Sequence, residues 1–119
     1  EEMVDITDLV AACVRESGIT EGTCLIYCPH TTAGIAINEN ADPDVTRDIL
    51  AGLVRIAPLP GGYSHSEGNS DAHIKACLIG SSELVIIHQG SLLLGTWQGI
   101  YFCEFDGPRH RHVHVACGA

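Results

Sequence analysis

From Glu83 to Cys117 the chain reads as one strand after another, and that stretch constrains the fold more than any other. Glu83 to His88, Ser91 to Leu94, Thr96 to Phe105 and Arg111 to Cys117 are strand-like runs, punctuated by Gly90, Gly95 and Asp106-Gly107-Pro108. Breaks this short join antiparallel neighbours through hairpins or bulges, whereas a parallel connection needs a long crossover. Two further strands come earlier. Thr23 to Cys28 is closed by Pro29, which cannot donate to a ladder, and Ala33 to Asn38 puts Ile35 and Ile37 on one face.

Helices occupy the remaining patterned segments. Ile6, Leu9, Val10, Cys13 and Val14 recur at helical spacing over residues 5–17, with Asp5 or Thr7 as cap and Gly18 as terminator. Asp42-Pro43 starts a second helix, with Val45, Ile49, Leu53 and Val54 or Ile56 as its buried stripe, and Pro58 stops it. Ser70 caps a third, Asp71 to Ile79, expected to turn Ile74, Cys77 and Leu78 inward. Helices gathered early and strands gathered late predict an α+β fold, an antiparallel sheet system with about three helices alongside. At 119 residues this is one domain, 1–119.

Composition excludes several functions. The net charge is −9, with only 6 Lys and Arg, so nucleic-acid binding is not expected. No apolar run reaches bilayer length and no signal peptide is visible, which predicts a soluble, cytoplasmic protein. Charged residues are 18% of the chain, a low share that predicts a homo-oligomer hiding part of its surface. The six cysteines form no C-x-x-C pair and read as reduced, buried small hydrophobes rather than as a zinc-thiolate site.

The chemistry gathers around histidine. His30 follows a buried strand, where it is either a hydrogen-bonded structural residue or a side chain aimed into a cleft. His65 lies in the Gly-, Pro- and Ser-rich loop from Pro58 to Asp71, and His73 opens the next helix, a separation that lets loop and helix wrap one point. Three imidazoles would hold a divalent metal and leave a position open. Glu39 and Asp48 are candidate general bases or partners of an imidazole N–H, Asp48 equally a solvated helix acid. His110, His112 and His114 alternate along the last strand, as a metal face or a solvent face, with Arg109 and Arg111 opposite as a phosphate fork. Gly95-Thr96-Trp97-Gln98 is either a bulge with Trp97 in the core or a substrate handle through the Gln98 amide.

The ordered runs His30-Thr31-Thr32-Ala33-Gly34, Ile37-Asn38-Glu39-Asn40-Ala41-Asp42-Pro43-Asp44-Val45 with Asp48, Tyr63-Ser64-His65, His73-Ile74-Lys75-Ala76 to Gly80, Gly95-Thr96-Trp97-Gln98-Gly99-Ile100 and Glu104 to Arg109 resemble the YjbQ family. These are also described as secondary thiamine-phosphate-synthase-type proteins. The resemblance covers the chain from about Asp5 onward. It implies a β-sandwich-like core, a trimer, and a polar pocket at a subunit boundary. It also implies thiamine-phosphate synthesis from a pyrimidine pyrophosphate and a thiazole phosphate. Carried onto this sequence, Glu39, Asp48 and Gln98 are catalytic and His30, His65 and His73 hold a divalent metal, zinc, or magnesium with a pyrophosphate substrate. Thr31, Thr32, Asn38, Gly95, Thr96 and Arg109 bind the small phosphorylated substrate. Relatives usually carry one or two strands before the helix that starts at Asp5, and the chain is expected to lack most of that segment.

Overall fold

The structure, a computed structural model, describes residues 1–119. In chain order the elements are β1 (Glu2–Asp5), α1 (Thr7–Ser17), β2 (Glu21–Tyr27), β3 (Ala33–Glu39), α2 (Pro43–Ile56), α3 (Ser70–Ile79), β4 (Ser82–His88), β5 (Ser91–Leu92), β6 (Gln98–Glu104) and β7 (His114–Gly118). The strands form two antiparallel sheets, β1-β6-β3 and β5-β4-β2-β7, so the expected α+β sandwich with three helices is what the chain adopts. No helix is long and apolar enough to cross a membrane.

Strand β6 organises the core. Its Ile-Tyr-Phe-Cys run is buried throughout because it is covered on both faces. Ile100 and Phe102 meet Cys24, Ile26, Val85 and Ile87 across the sandwich, with Val10 and Val14 of α1 in the same cluster. Tyr101, Cys103 and Phe105 pack on the other side with Leu53 of α2 and Ala72 and Ala76 of α3. The three-stranded sheet is therefore the middle layer, and α3 lies directly above the strand that leads into the histidine region.

Several expectations are corrected. Glu2–Asp5 is a strand, in register with Glu104 to Tyr101 of β6, where the sequence reading had none. Helix α1 starts after it; the Asp5 carboxylate takes the Thr7 N–H at 2.9 Å, and Leu9 and Cys13 face solvent. Asp42 caps α2 as expected, accepting from Asp44 N at 2.9 Å, but Val54 and Ile56 are exposed.

The largest correction concerns α3. It buries Asp71, Ala72, Lys75 and Ala76 and exposes Ile74, Cys77 and Leu78, the reverse of the apolar reading. Small alanines let the helix approach the sheet closely. Lys75, only 2% exposed, is accommodated because its ammonium is held by Glu1 and, at 3.3 Å, by Asp71.

The final strand is shorter than expected. Only His114 of the alternating histidines lies in β7, so His110 and His112 do not share a strand face with it. Trp97 is 63% exposed on the turn before β6, not in the core. All six cysteines are free; Cys24, Cys28 and Cys103 are buried, while Cys13 and Cys77 are exposed and Cys117 is half-buried.

Candidate functional site

Cys28 directly follows β2, and its N–H donates to Ser81 O at 2.7 Å, which fixes where the next residues turn. Pro29 to Thr32 then lead to β3, lining hollows shared with His73 of α3 and with Gly80 and Ser81 beyond its end. That connection carries His30, Thr31 and Thr32 to His73 in the first turn of α3, and the preceding loop brings His65. The rings of His65 and His73 meet edge to face with centroids 5.4 Å apart. His30, Thr31, Thr32, His65, His73 and Arg109 all line one cleft of about 380 Å³, together with Glu67, Asn69 and Arg111. A second hollow of about 470 Å³ continues from His30 and His73 along α3 to Cys77 and Gly80.

Arg111 builds the floor of this cleft rather than a free phosphate fork. Its Nε and Nη2 donate to the two carboxylate oxygens of Glu104, and Nη2 also to Thr32 Oγ1 at 2.8 Å. The hydrogen bonds from Arg111 hold the Glu104 carboxyl below its ordinary value, and Glu104 in turn raises the Arg111 guanidinium. Arg109 is exposed and tied to Asp106 through Nε to the backbone oxygen and Nη2 to Oδ2, both at 2.9 Å, leaving Nη1 for a ligand. Asn69 donates to Asp106 Oδ2 at 2.8 Å, the first cause of a lowered Asp106 pKa, ahead of Arg109. The other amide atom, Asn69 Oδ1, is buried without a partner.

His30 and His112 are coupled. The His112 backbone N–H donates to His30 Nε2 at 2.8 Å, and the two rings stack with centroids 6.3 Å apart. Sequence reasoning placed His112 on a metal face or a solvent face of the last strand and did not find its contact with His30, because alternation was the only signal available. Nor did it find Asn69 or the Arg111–Glu104 lock, whose partners lie on distant segments.

The remaining candidates sit elsewhere. Glu39 and Asn38 end β3, directly opposite Gln98 and Gly99 of β6. The Gln98 Oε1 accepts the Gly95 N–H at 2.7 Å, so Gly95, Thr96, Trp97 and Gln98 form one exposed tip beside Glu39. β3 is seven residues long, which puts this tip ~20 Å from the histidine end. Asp48 is exposed on α2 and lines neither histidine hollow.

Whether the histidines suit a metal depends on donors and on geometry. Three imidazoles on one cleft are a donor set that zinc accepts. No group of three or more His, Cys, Asp or Glu side chains stands converged as ligands, and the His30 lone pair is already engaged. The donor types suit a metal, but the side chains do not converge on one point.

The family model for UPF0047 protein YjbQ-like matches residues 1–118. UPF0047 protein YugU of Bacillus subtilis is 56% identical over 116 residues, 97% of this chain and 88% of that protein. A UPF0047 protein of Methanocaldococcus jannaschii is 55% identical over 115 residues, 97% of this chain and 83% of its own. Among solved structures, an uncharacterized conserved YjbQ/UPF0047 protein of Clostridium acetobutylicum superposes with a TM-score of 0.96 at 62% identity, over 98% of this chain and 90% of that one. A YbjQ-like protein of unknown function from Sulfolobus solfataricus gives 0.94 at 38% identity, over 98% and 86%.

Proposed function

The chain belongs to the UPF0047 (YjbQ-like) family, and from that premise we propose that it is an enzyme acting on small phosphorylated compounds, with weak thiamine-phosphate synthesis the reaction to test. The observation that carries this reading is the cleft itself, which His30, His65, His73, Arg109 and Asn69 line together, with Asn69 Oδ1 buried and unpartnered. A buried acceptor left without a donor costs about 1–3 kcal/mol, which a ligand hydroxyl or amine would relieve. Arg109 offers the charge-assisted donors that a phosphate wants.

In the synthesis, the thiazole nitrogen bonds to the pyrimidine methylene carbon as the carbon–oxygen bond to pyrophosphate breaks. Negative charge grows on the departing oxygens, and Arg109 is placed to hold them. A divalent cation held by His30, His65 and His73 would supply Lewis-acid stabilisation of the same charge. Thr31 and Thr32 frame the cleft at its β3 side.

Glu39, Asp48 and Gln98 enter this reading as catalytic groups, with Asn38, Gly95 and Thr96 as substrate contacts, by way of a neighbouring copy. The ~20 Å between the two ends of β3 keeps Glu39 and Gln98 from serving the histidines of their own chain. Three features favour a homo-oligomer, a trimer in this proposal. The radius of gyration is 15.4 Å, against about 13.5 Å for a compact chain of this length. The outer face of the four-stranded sheet exposes Leu25, Tyr27, Leu84 and Ile86, and α3 exposes Ile74 and Leu78. Charge is sparse for a surface this large.

The test is an assay with pyrimidine pyrophosphate plus thiazole phosphate, and separately with phosphate monoesters, each with zinc or magnesium. Thiamine phosphate formed by the wild type and lost in His73→Ala supports the proposal. Turnover of the esters alone makes the protein a metal-dependent phosphate-ester hydrolase built from the same parts. No turnover of either, with metal bound, leaves a non-catalytic metal- or ligand-binding oligomer and removes the enzymatic reading.

A further inference from the structure

We propose that Cys24 and Cys117 are a redox modification site, a facing pair of thiols that peroxide converts to a disulfide stapling the edge strand β7 to β2. The site is separate from the histidine cleft and independent of what binds there. The two cysteines are direct partners in the register of β2 with β7. Both turn toward the inside of the sandwich, Cys24 within the main core cluster and Cys117 packed against it.

The phase of the hydrogen bonds decides how close they stand. The Cys28 N–H donates to Ser81 O, the pair that continues the unbroken register of β2 with β4. Backbone groups alternate in direction along a strand, so those two and four residues apart point the same way. Cys24, four residues before Cys28, thus directs its N–H and C=O at Val85 of β4 and away from β7. Its pairing with Cys117 is therefore the non-hydrogen-bonded kind, with Cα atoms about 4.5 Å apart and side chains at their closest. A disulfide spans Cα separations of roughly 4.4–6.8 Å, so the bond is within reach of the strands as they stand.

The two thiols differ in access, which sets the order of steps. Cys24 is fully buried, and desolvation, ahead of its contact with Cys117, pushes its thiol up to about 12. Cys117 is half-buried on an edge strand and admits a small oxidant rather than a bulky one. Its sulfur attacks one oxygen of hydrogen peroxide and the O–O bond breaks, giving a sulfenic acid and one water. The Cys24 sulfur then attacks the Cys117 sulfur. The S–O bond breaks, and the hydroxyl leaves with the Cys24 proton as a second water. Cys28 and Cys103 offer no such entry, since both are buried. The new bond holds a strand whose one neighbour is β2, and it closes a loop that includes most of the chain.

Excess hydrogen peroxide is the probe, followed by alkylation of the remaining thiols and non-reducing peptide mapping with cleavage at Tyr27, between Cys24 and Cys28. The expected result is a cross-linked pair of peptides carrying Cys24 and Cys117. The thermal midpoint should rise by roughly 10 °C and fall back with dithiothreitol. Cys13→Ser should keep both effects and Cys117→Ser should lose both. Cys117 carried on to a sulfinic acid while Cys24 stays free overturns the site. So does a disulfide joining either residue to Cys13, the exposed thiol of α1, or to a second chain. A cross-link that leaves the midpoint unchanged overturns the staple. The map of the wild-type protein decides the site by itself, whether or not a variant folds.

Discussion

Arg111 and Glu104 form a two-pronged ion pair beneath the cleft, Nε to Oε1 at 2.7 Å and Nη2 to Oε2 at 2.6 Å, with both side chains only 12% and 11% exposed. The pair connects the end of β6 to the segment that reaches His30. It is also a place where acid should weaken the protein. Glu104 has its folded-state pKa depressed below 4.5, so its contribution is fully present above that value. Stability is then lost as pH falls through the depressed folded value. Urea unfolding from pH 7 to pH 3 should show a decline in the wild type that is flatter in Glu104→Gln. The variant itself, leaving Arg111 unpaired, should be less stable at pH 7 by about 3 kcal/mol.

Lys75 supplies the same logic in sharper form. Removing its partner through Asp71→Ala leaves an ammonium that is 2% exposed with Glu1 alone, whereas Lys75→Met removes the charge and keeps the volume. Asp71→Ala should cost about 3 kcal/mol or more, and Lys75→Met distinctly less. Denaturant titration of the two variants checks the order. The reverse order would mean that Lys75 is held by packing rather than by its carboxylates.

Gly34 ties β3 to the end of α3. A Cβ built there would stand 2.6 Å from Gly80 O, and that same oxygen accepts the Ile35 N–H at 3.0 Å. The obstacle is backbone, so it cannot turn aside. Gly34→Ala should lower stability by about 2 kcal/mol and cut activity by displacing α3 and His73 from His30. Thermal unfolding and the assays above, run together, check both halves.

The thiols divide by burial. Desolvation pushes the Cys103 thiol up to about 12 and raises Cys24 and Cys28 as well. An aromatic disulfide reagent at pH 8 should therefore modify Cys13 within minutes, and Cys77 to the extent that the exposed face of α3 is left uncovered. Cys24, Cys28 and Cys103 should react only on unfolding, as peptide mass mapping would show. Rapid modification of Cys103 in the native protein would contradict the packing of α2 and α3 on the middle sheet.

These tests separate what the sequence made legible from what it did not. The Asp42-Pro43 start of α2 was readable because a cap is local: donor and acceptor are two residues apart. His65 and His73 were readable by spacing. The inward face of α3 was not, because Ile74 and Leu78 outrank Lys75 in hydropathy, and one of the two carboxylates that hold the buried ammonium, Glu1, lies 74 positions away. The alternation of His110, His112 and His114 suggested a strand for the same reason. Contacts from His30, Thr32 and Glu104 fix His112 and Arg111 before β7 begins, and no local pattern encodes them. β1 escaped notice because its register with β6 is a pairing across the whole chain.

The division of the candidate residues between two ends of β3 gives the most discriminating prediction. If Glu39 acts on substrate held by the histidines of a neighbouring copy, two inactive variants should rescue one another. His73→Ala and Glu39→Gln would each lack activity alone. Unfolded together in equal amounts and reassembled, they would form boundaries at random. A boundary is intact when one copy brings His73 and the next brings Glu39, so about a quarter of wild-type activity should return in a closed ring. Light scattering on the same sample checks that the assembly has re-formed. Re-formed oligomers without activity would show that each chain works with its own residues, and Glu39 would then lose its catalytic assignment, since β3 holds it ~20 Å from the histidine end.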